Sequence, residues 1–523
     1  LEASPLSSIP VYDVSAERLE AFGFPVMEPR PRAEWTVLAY YGGDTDLEST
    51  VMADFNEFEL AGGSDEQVRI VALMDRHPLY TTASGNWASA RLFEVEADIS
   101  GDHLDTYPPT VDTEPLADLG ALDTGTGETL ALFLTWALRH YPADHYAIAF
   151  ASHGAGWRGI IADDSDESTI ISLPELRAAF DAARRATGVQ RFDLLINDAC
   201  LMSSVEYYQA MARYFDLSIA SPEIIVDPAL DMTAFVEALR AGGRDDLVSI
   251  SNDLVDLYML RDVDQRGGRD KEYLSNAVAD LTRFSQVTQA LERFAVLVNL
   301  DPARYSTLLG QARANAYTYA IFMGQRDKID LGHFMQQIVL MSTDYELVIS
   351  ARDVLTALED ARLHARGGSF VDGRVAYFNI YFPMESRDFD PDYFLLSDLP
   401  NWAQMLRTYY NSTTPRLWLL EDSLLTYHPA SAPSVKVTRI YPEVGSTAAP
   451  PAIAVEIVGR RIASGSFTVD RLEADGQRVR LADTPILTEV IAGSAIDYVN
   501  QWKSGIDRSV FSWLPLTLPR VSD

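Results

Sequence analysis

The sequence predicts an α/β protein built on a mainly parallel sheet with helices on both faces. Three observations carry that class. Short runs that are apolar on both faces, such as Tyr146-Ala147-Ile148-Ala149-Phe150-Ala151 and Phe192-Asp193-Leu194-Leu195-Ile196, have the pattern of central parallel strands. They alternate with segments whose apolar residues recur at helical spacing. Gly and Asp cluster at the ends of the runs, as in Gly42-Gly43-Asp44, where a strand must turn.

In chain order, residues 1–33 hold five prolines and little periodicity, which reads as an extended arm lying over the domain. Trp35 to Tyr41 is the first core strand, and Val68 to Met74 repeats the pattern. Leu130, Phe133, Leu134, Ala137, Leu138 and Tyr141 lie on one face of a helix expected within Thr124 to Tyr141. The strands at Tyr146 and Phe192 follow. Leu201, Val205, Tyr208, Ala212 and Phe215 then mark a helix, and Leu217 to Ala220 a strand. From Met232 to Ala365 the period is helical with few breakers, which predicts a helical insertion before strand character returns at Val375 to Pro383. Ser, Thr and Pro clusters make 412–433 a linker, and short β-rich runs across 434–523 predict a C-terminal all-β sandwich domain. Charge agrees with that boundary: 434–523 holds ten Lys plus Arg against ten Asp plus Glu, so the whole net charge of -34 lies in 1–433.

The chain has 523 residues, 47% of them hydrophobic, enough to bury a large core without staples. Its negative charge repels phosphate backbones, so nucleic acid is not an expected partner. No apolar run reaches the roughly 18 residues of a spanning helix. The sequence opens on Leu1 rather than Met, which reads as a removed leader or a trimmed chain, and the first of these gives the expectation of an extracytoplasmic, secreted or cell-surface, location. The single cysteine, Cys200, excludes a disulfide framework and a Cys-rich zinc site.

That cysteine is also the centre of the chemical reading. The strand at Tyr146 ends in Ser152-His153-Gly154, and the next core strand ends in Asn197-Asp198-Ala199-Cys200 and leads towards a helix. Functional groups of open α/β sheets gather at the carboxyl ends of strands. Neighbouring parallel strands would thus present His153 and Cys200 at one edge. A helix N-terminus close to Cys200 would lower the thiol pKa. Gly154, lacking a Cβ, could bring its N–H, with that of Cys200, to a developing oxyanion. The competing reading is a buried, inert thiol and a histidine that only satisfies a backbone carbonyl.

These same residues resemble the clostripain family of cysteine peptidases, within the caspase-like clan. His153-Gly154 after one apolar strand and Asp198-Ala199-Cys200-Leu201-Met202 after the next carry the likeness. Trp35 to Asp44 with Leu47, Asp75-Arg76, Tyr141-Pro142-Ala143-Asp144, Ile329-Asp330-Leu331, and Ile380 to Pro383 with Trp402 agree. The resemblance covers about 34–411 and implies a caspase-like cysteine peptidase domain there. It implies an endopeptidase that needs no cofactor for its chemistry and cleaves after Arg, sometimes Lys, in a protein or peptide substrate. Cys200 would attack, and His153 would protonate the leaving amine and activate water.

In the family, an Asp two residues before the nucleophile lines the pocket for the basic side chain; here that is Asp198, which shares a strand face with Cys200. A second acid follows about thirty residues later, where Asp231 or Asp227 stands, although the Gly-Trp pair usual after it is missing. Helix capping is the structural alternative for both Asp198 and Asp231. Family members often cut themselves between the dyad residues, yet 160–176 contains no Lys or Arg, so a single intact chain is expected. Asp163-Asp164-Ser165-Asp166-Glu167 is oxygen-rich enough to attract Ca²⁺, with a solvated acidic loop the more ordinary reading. Gly154, Gly156 and Gly159 spell a dinucleotide-type motif, but no helix pattern follows them, and the histidines form no zinc-protease motif. The alternative for the whole chain is a catalytically inactive peptidase-like binding or surface-adhesion protein, which the altered segment after Ser221 and the β tail suggest.

Overall fold

The computed structural model describes residues 9–99, 107–165, 168–261, 272–320, 325–384 and 388–411, and the backbone of six short strands between 419 and 485. After the helix α1 (Ala16–Ala21), the chain runs β1 (Ala33–Gly43), α2 (Glu48–Leu60), β2 (Val68–Arg76), β3 (Ala90–Glu94), β4 (Ala117–Gly120), α3 (Gly127–His140) and β5 (Ala143–Ala151). A hairpin, β6 (Ile160–Asp163) and β7 (Thr169–Ile171), leads to α4 (Leu173–Thr187), β8 (Phe192–Asp198), α5 (Val205–Met211) and β9 (Phe215–Ala220). Then come α6 (Met232–Gly242), α7 (Leu247–Leu260), β10 (Ser275–Asp280), α8 (Phe284–Leu300), α9 (Pro302–Asn315), β11 (Lys328–Asp330), α10 (Leu331–Met341), α11 (Tyr345–Ala361), β12 (Arg362–Gly367), β13 (Asn379–Tyr381), α12 (Tyr393–Leu396) and α13 (Pro400–Asn411).

Nine strands form the main sheet in the order β12-β10-β9-β8-β5-β1-β2-β3-β4. The five from β9 to β2 are parallel, and two antiparallel strands extend each edge. The period-2 alternation of each strand sorts the core into two layers. Leu38, Tyr40, Ile148, Phe150 and Leu195 pack with α3, α4, α5 and α8, whereas Val37, Ala39, Tyr41, Ala147, Ala149, Leu194 and Ile196 pack with α2, α6 and α7. Both faces are therefore dry, which is why these runs show no polar alternation. The arm lies against α3: Trp136 Nε1 donates to the Pro25 carbonyl at 2.8 Å, and Arg18 pairs with Glu128. Among the described residues, no helix is long and apolar enough to cross a membrane.

Four expectations need correction. The insertion is not purely helical, because β10 and β12 within it join the main sheet and β11 lies between them. Only Asn379–Tyr381 of the expected strand at 375–383 forms a strand; Tyr377 has φ +68°, and the strand pairs with β11 rather than the main sheet. The helix expected from Leu201 to Phe215 is confined to Val205–Met211, since Leu201 has φ +66° and Phe215 already starts β9. Strands β14 (Leu419–Leu420) and β15 (Ser423–Pro429) begin inside the expected linker. With β18 (Gly465–Leu472) and β19 (Arg478–Pro485) they form an antiparallel sheet, and β16 (Lys436–Pro442) pairs with β17 (Ile453–Val458). The rest of the expected sandwich lies outside the described residues.

Candidate active site

The parallel register sets Ala151 of β5 opposite Asp198 of β8, so His153 and Cys200 each follow their strand by the same two residues. The two strand ends touch through Gly154. A Cβ built there would lie 2.5 Å from the Cys200 carbonyl oxygen, 2.8 Å from Met202 Sδ and 3.0 Å from Ala199 Cβ. Only glycine allows this approach. Gly154 also faces Ile160 in an antiparallel bridge whose bonds run from Ile161 N to the His153 carbonyl and from Ala155 N to the Gly159 carbonyl. That pattern leaves the N–H of Gly154 itself out of the ladder.

Cys200 is half-buried in a turn, not at a helix N-terminus, because α5 starts five residues later with Ser204 as its first flanking residue. The turn is held by bonds from Leu201 N to the Glu223 carbonyl (3.0 Å), from Ser203 N to the Ser221 carbonyl (2.9 Å) and from Asn379 Nδ2 to the Leu201 carbonyl (2.8 Å). These contacts support the left-handed Leu201, a conformation that costs about 1–2 kcal/mol. Cys200, Ile224 and Tyr317 pack against a small buried cluster of Leu201, Tyr319 and Ala320. Burial, with the charges of Asp198 and Glu223, pushes the thiol up to about 11, opposite to the lowering expected from a helix N-terminus. Glu223 is buried beside this turn, and burial pushes its carboxyl up to about 7. Its Oε1 accepts from Ile224 N and Ala320 N, while Oε2 is buried without a hydrogen-bond partner.

His153 Nε2 lies 2.6 Å from Oδ1 of Asp46, in the turn between β1 and α2. The sequence reading missed Asp46. Its signal was position: Asp44, His153 and Cys200 all follow neighbouring strands at one sheet edge, and the turn after β1 carries two acids.

The anticipated pocket acids separate. Asp198, half-buried, accepts from Leu230 N through Oδ2 at 3.0 Å and does not cap α5. Asp227 is exposed and accepts from Tyr107 Oη at 2.8 Å. Asp231 is the N-cap of α6, accepting from Ala234 N at 2.9 Å, and its Oδ2 is 3.9 Å from Arg261 Nε. It is occupied as a helix cap. A fourth acid, Asp54 of α2, is only 4% exposed. Burial, then the charges of Asp198 and Asp227, raises its carboxyl well above the usual range. A carboxylate within the apolar stripe Val51-Met52-Ala53-Asp54-Phe55 was the legible hint.

Residues 39–417 match the clostripain family. Clostripain of Hathewaya histolytica is 25% identical over 304 residues, 50% of this chain and 56% of that protein, so the chain spans about half the length of the curated relative it matches. A secreted C11 cysteine protease from Bacteroides thetaiotaomicron, solved with an irreversible peptide inhibitor, aligns with 20% identity and a TM-score of 0.52 over 72% of this chain and 99% of its own. That likeness extends to the fold alone.

Proposed function

The chain belongs to the clostripain family, and from that premise we propose that it is a cysteine endopeptidase cleaving after basic residues, with Cys200 as nucleophile and His153 as acid and base. The observation that carries this reading is the contact of the His153-Gly154 backbone with the Cys200 turn at the carboxyl ends of two adjacent parallel strands. With Nε2 donating to Asp46, the imidazole keeps a lone pair on Nδ1 for the thiol proton. As Sγ–H transfers its proton to the ring, sulfur attacks the scissile carbonyl and a C–S bond forms. The N–H groups of Gly154 and Cys200 receive the oxyanion, each donor worth roughly 3 kcal/mol. The imidazolium then protonates the leaving amine as the C–N bond breaks, and water, deprotonated by His153, hydrolyses the thioester.

Asp198 is the proposed partner of the substrate cation, with Asp54 and Asp227 as the acids whose charges are felt alongside it. The half-buried Asp198 carboxylate favours a guanidinium, whose planar fork can bind it bidentately, over an ammonium point charge. Asp231, committed to its helix, takes no part. The chain acts as one intact polypeptide on this reading, since 160–176 offers no basic cleavage point. A location outside the cytoplasm belongs to the same proposal, in keeping with the secreted relative.

A thiol-directed covalent probe carrying Arg tests the assignment. Labelling of the wild type that vanishes in Cys200→Ala is the expected result. An unlabelled wild type that still binds basic peptides would overturn it and favour an inactive binding module.

A further inference from the structure

Residues 224–231 lead towards α6 without forming helix or strand, so side chains of neighbouring elements hold them rather than a ladder of backbone bonds. This segment reaches Asp198 through Leu230 N, 3.0 Å from Oδ2. Leu230 is held in turn by the guanidinium of Arg261, the residue that follows α7. Its Nη1 donates to the Ala229 carbonyl at 3.0 Å and to the Leu230 carbonyl at 2.8 Å.

The Ala229–Leu230 peptide is therefore bonded at both ends: its carbonyl faces Arg261 and its N–H faces Asp198. This peptide is trans, and the two groups of a planar trans peptide point in opposite directions, so one cannot turn without the other. Ala229 and Leu230 are 2% and 0% exposed, which gives water little access to these bonds.

The guanidinium is itself anchored. Nη2 pairs with Oε1 of Glu57 on α2, whose Oε2 accepts from Met232 N at 2.8 Å and whose carbonyl accepts from Thr233 Oγ1 at 2.9 Å. Arg261 thus ties α2 and the end of α7 to the start of α6. Burial and the charges of Asp198 and Asp227 raise the Asp54 carboxyl, and the charge of Arg261 opposes that rise, which sets the cation near the same group of acids.

We infer that Arg261 is a positioning residue for the basic-residue pocket: through the Ala229–Leu230 peptide it fixes the direction from which Leu230 N–H holds Asp198, and so the rotation of the carboxylate offered to a substrate cation. The inference deepens the proposed specificity and rests on Asp198 as the pocket acid. Arginine suits the task because its planar fork meets two carbonyls and a carboxylate at once, whereas a lysine ammonium presents all its donors from one nitrogen.

The rate at which a thiol-directed probe labels Cys200 provides the test, with an arginyl probe compared against its uncharged citrullyl counterpart. The wild type is expected to prefer the arginyl probe. Arg261→Gln should cut that preference at least tenfold, as loss of charge-assisted bonds implies. In the Asp198→Asn background the same substitution should change the preference less than twofold, because the group it acts through has lost its charge. A purely structural residue would slow both probes alike and leave their ratio unmoved. Arg261→Lys keeps a cation opposite Glu57 and carries the test should Arg261→Gln not fold; its preference should fall at least threefold. A preference that Asp198→Asn abolishes but both Arg261 variants retain overturns this inference alone. A wild type with no preference removes the pocket reading and the inference with it.

Discussion

Replacing Gly154 by alanine is the sharpest perturbation of the proposed site. The new methyl group would sit 2.5 Å from the Cys200 carbonyl oxygen and 3.0 Å from Ala199 Cβ. Met202 Sδ, at 2.8 Å, can swing away; the carbonyl and the Ala199 methyl cannot. Relieving the contact takes a separation of about 1 Å between the two strand ends. A displacement of that size in a reacting constellation costs about a hundredfold in rate, equivalent to about 2.7 kcal/mol of transition-state stabilisation. Overpacking adds a stability loss of about 1–3 kcal/mol. The expected outcome is a hundredfold fall in kcat/KM for an arginyl peptide amide, with a lowered but cooperative urea transition. Activity within threefold of the wild type would refute the argument, whatever happened to stability, because it would mean that the distance between these strand ends does not matter to the chemistry.

Other consequences can be measured on the same protein. With the Cys200 thiol pushed up to about 11, iodoacetamide alkylation should rise about tenfold per pH unit between about pH 7 and 10; a plateau below pH 8 would contradict the burial argument. Asp198→Asn should lower kcat/KM for arginyl substrates at least about a hundredfold while moving that alkylation profile to lower pH, because one charge opposing the thiolate is gone, and equal loss on neutral substrates would count against a role in specificity. Asp46→Ala should reduce kcat about tenfold with KM unchanged, and an unaltered kcat would remove Asp46 from the machinery. Glu223 is protonated more tightly when folded, so its contribution to stability is full below about pH 4.5 and is lost as pH rises through about 7. The difference is about 3 kcal/mol, and urea titrations from pH 4 to 9 should show this slope in the wild type but not in Glu223→Gln.

What could be read from the sequence followed from how local its cause was. β1, β5 and β8 were legible because burial on both faces leaves continuous apolar runs. β10 was not: its buried apolar side chains are only Ala277, Val278 and Ala279, preceded by the buried but polar Ser275 and Asn276, and its place depends on pairing with β9 and β12. The order of His153 and Cys200 along the strands was visible, yet the turn after Cys200 was mistaken for a helix. Leu201 is held in its left-handed conformation partly by Asn379, 178 residues away, which no local propensity reveals. Asp46 and Asp54 were missed for a related reason. Each comes from the segment after β1, and the register of the sheet, not the spacing along the chain, brings that segment to the other strand ends.

Charge then links binding to reactivity on the proposed reading. Asp198 and Glu223 both oppose ionisation of Cys200, so the resting thiol is held neutral by the same acidity that attracts a cationic side chain. A guanidinium against Asp198 cancels one of those charges at the moment a scissile carbonyl comes within reach of sulfur. The interaction is thereby expressed more strongly in the reacting complex than in the free protein, which is the condition under which binding energy accelerates a reaction. A neutral side chain in the same pocket would leave Asp198 uncompensated beside the thiol and gain none of this. Selectivity for a basic residue and activation of the nucleophile would then share one carboxylate.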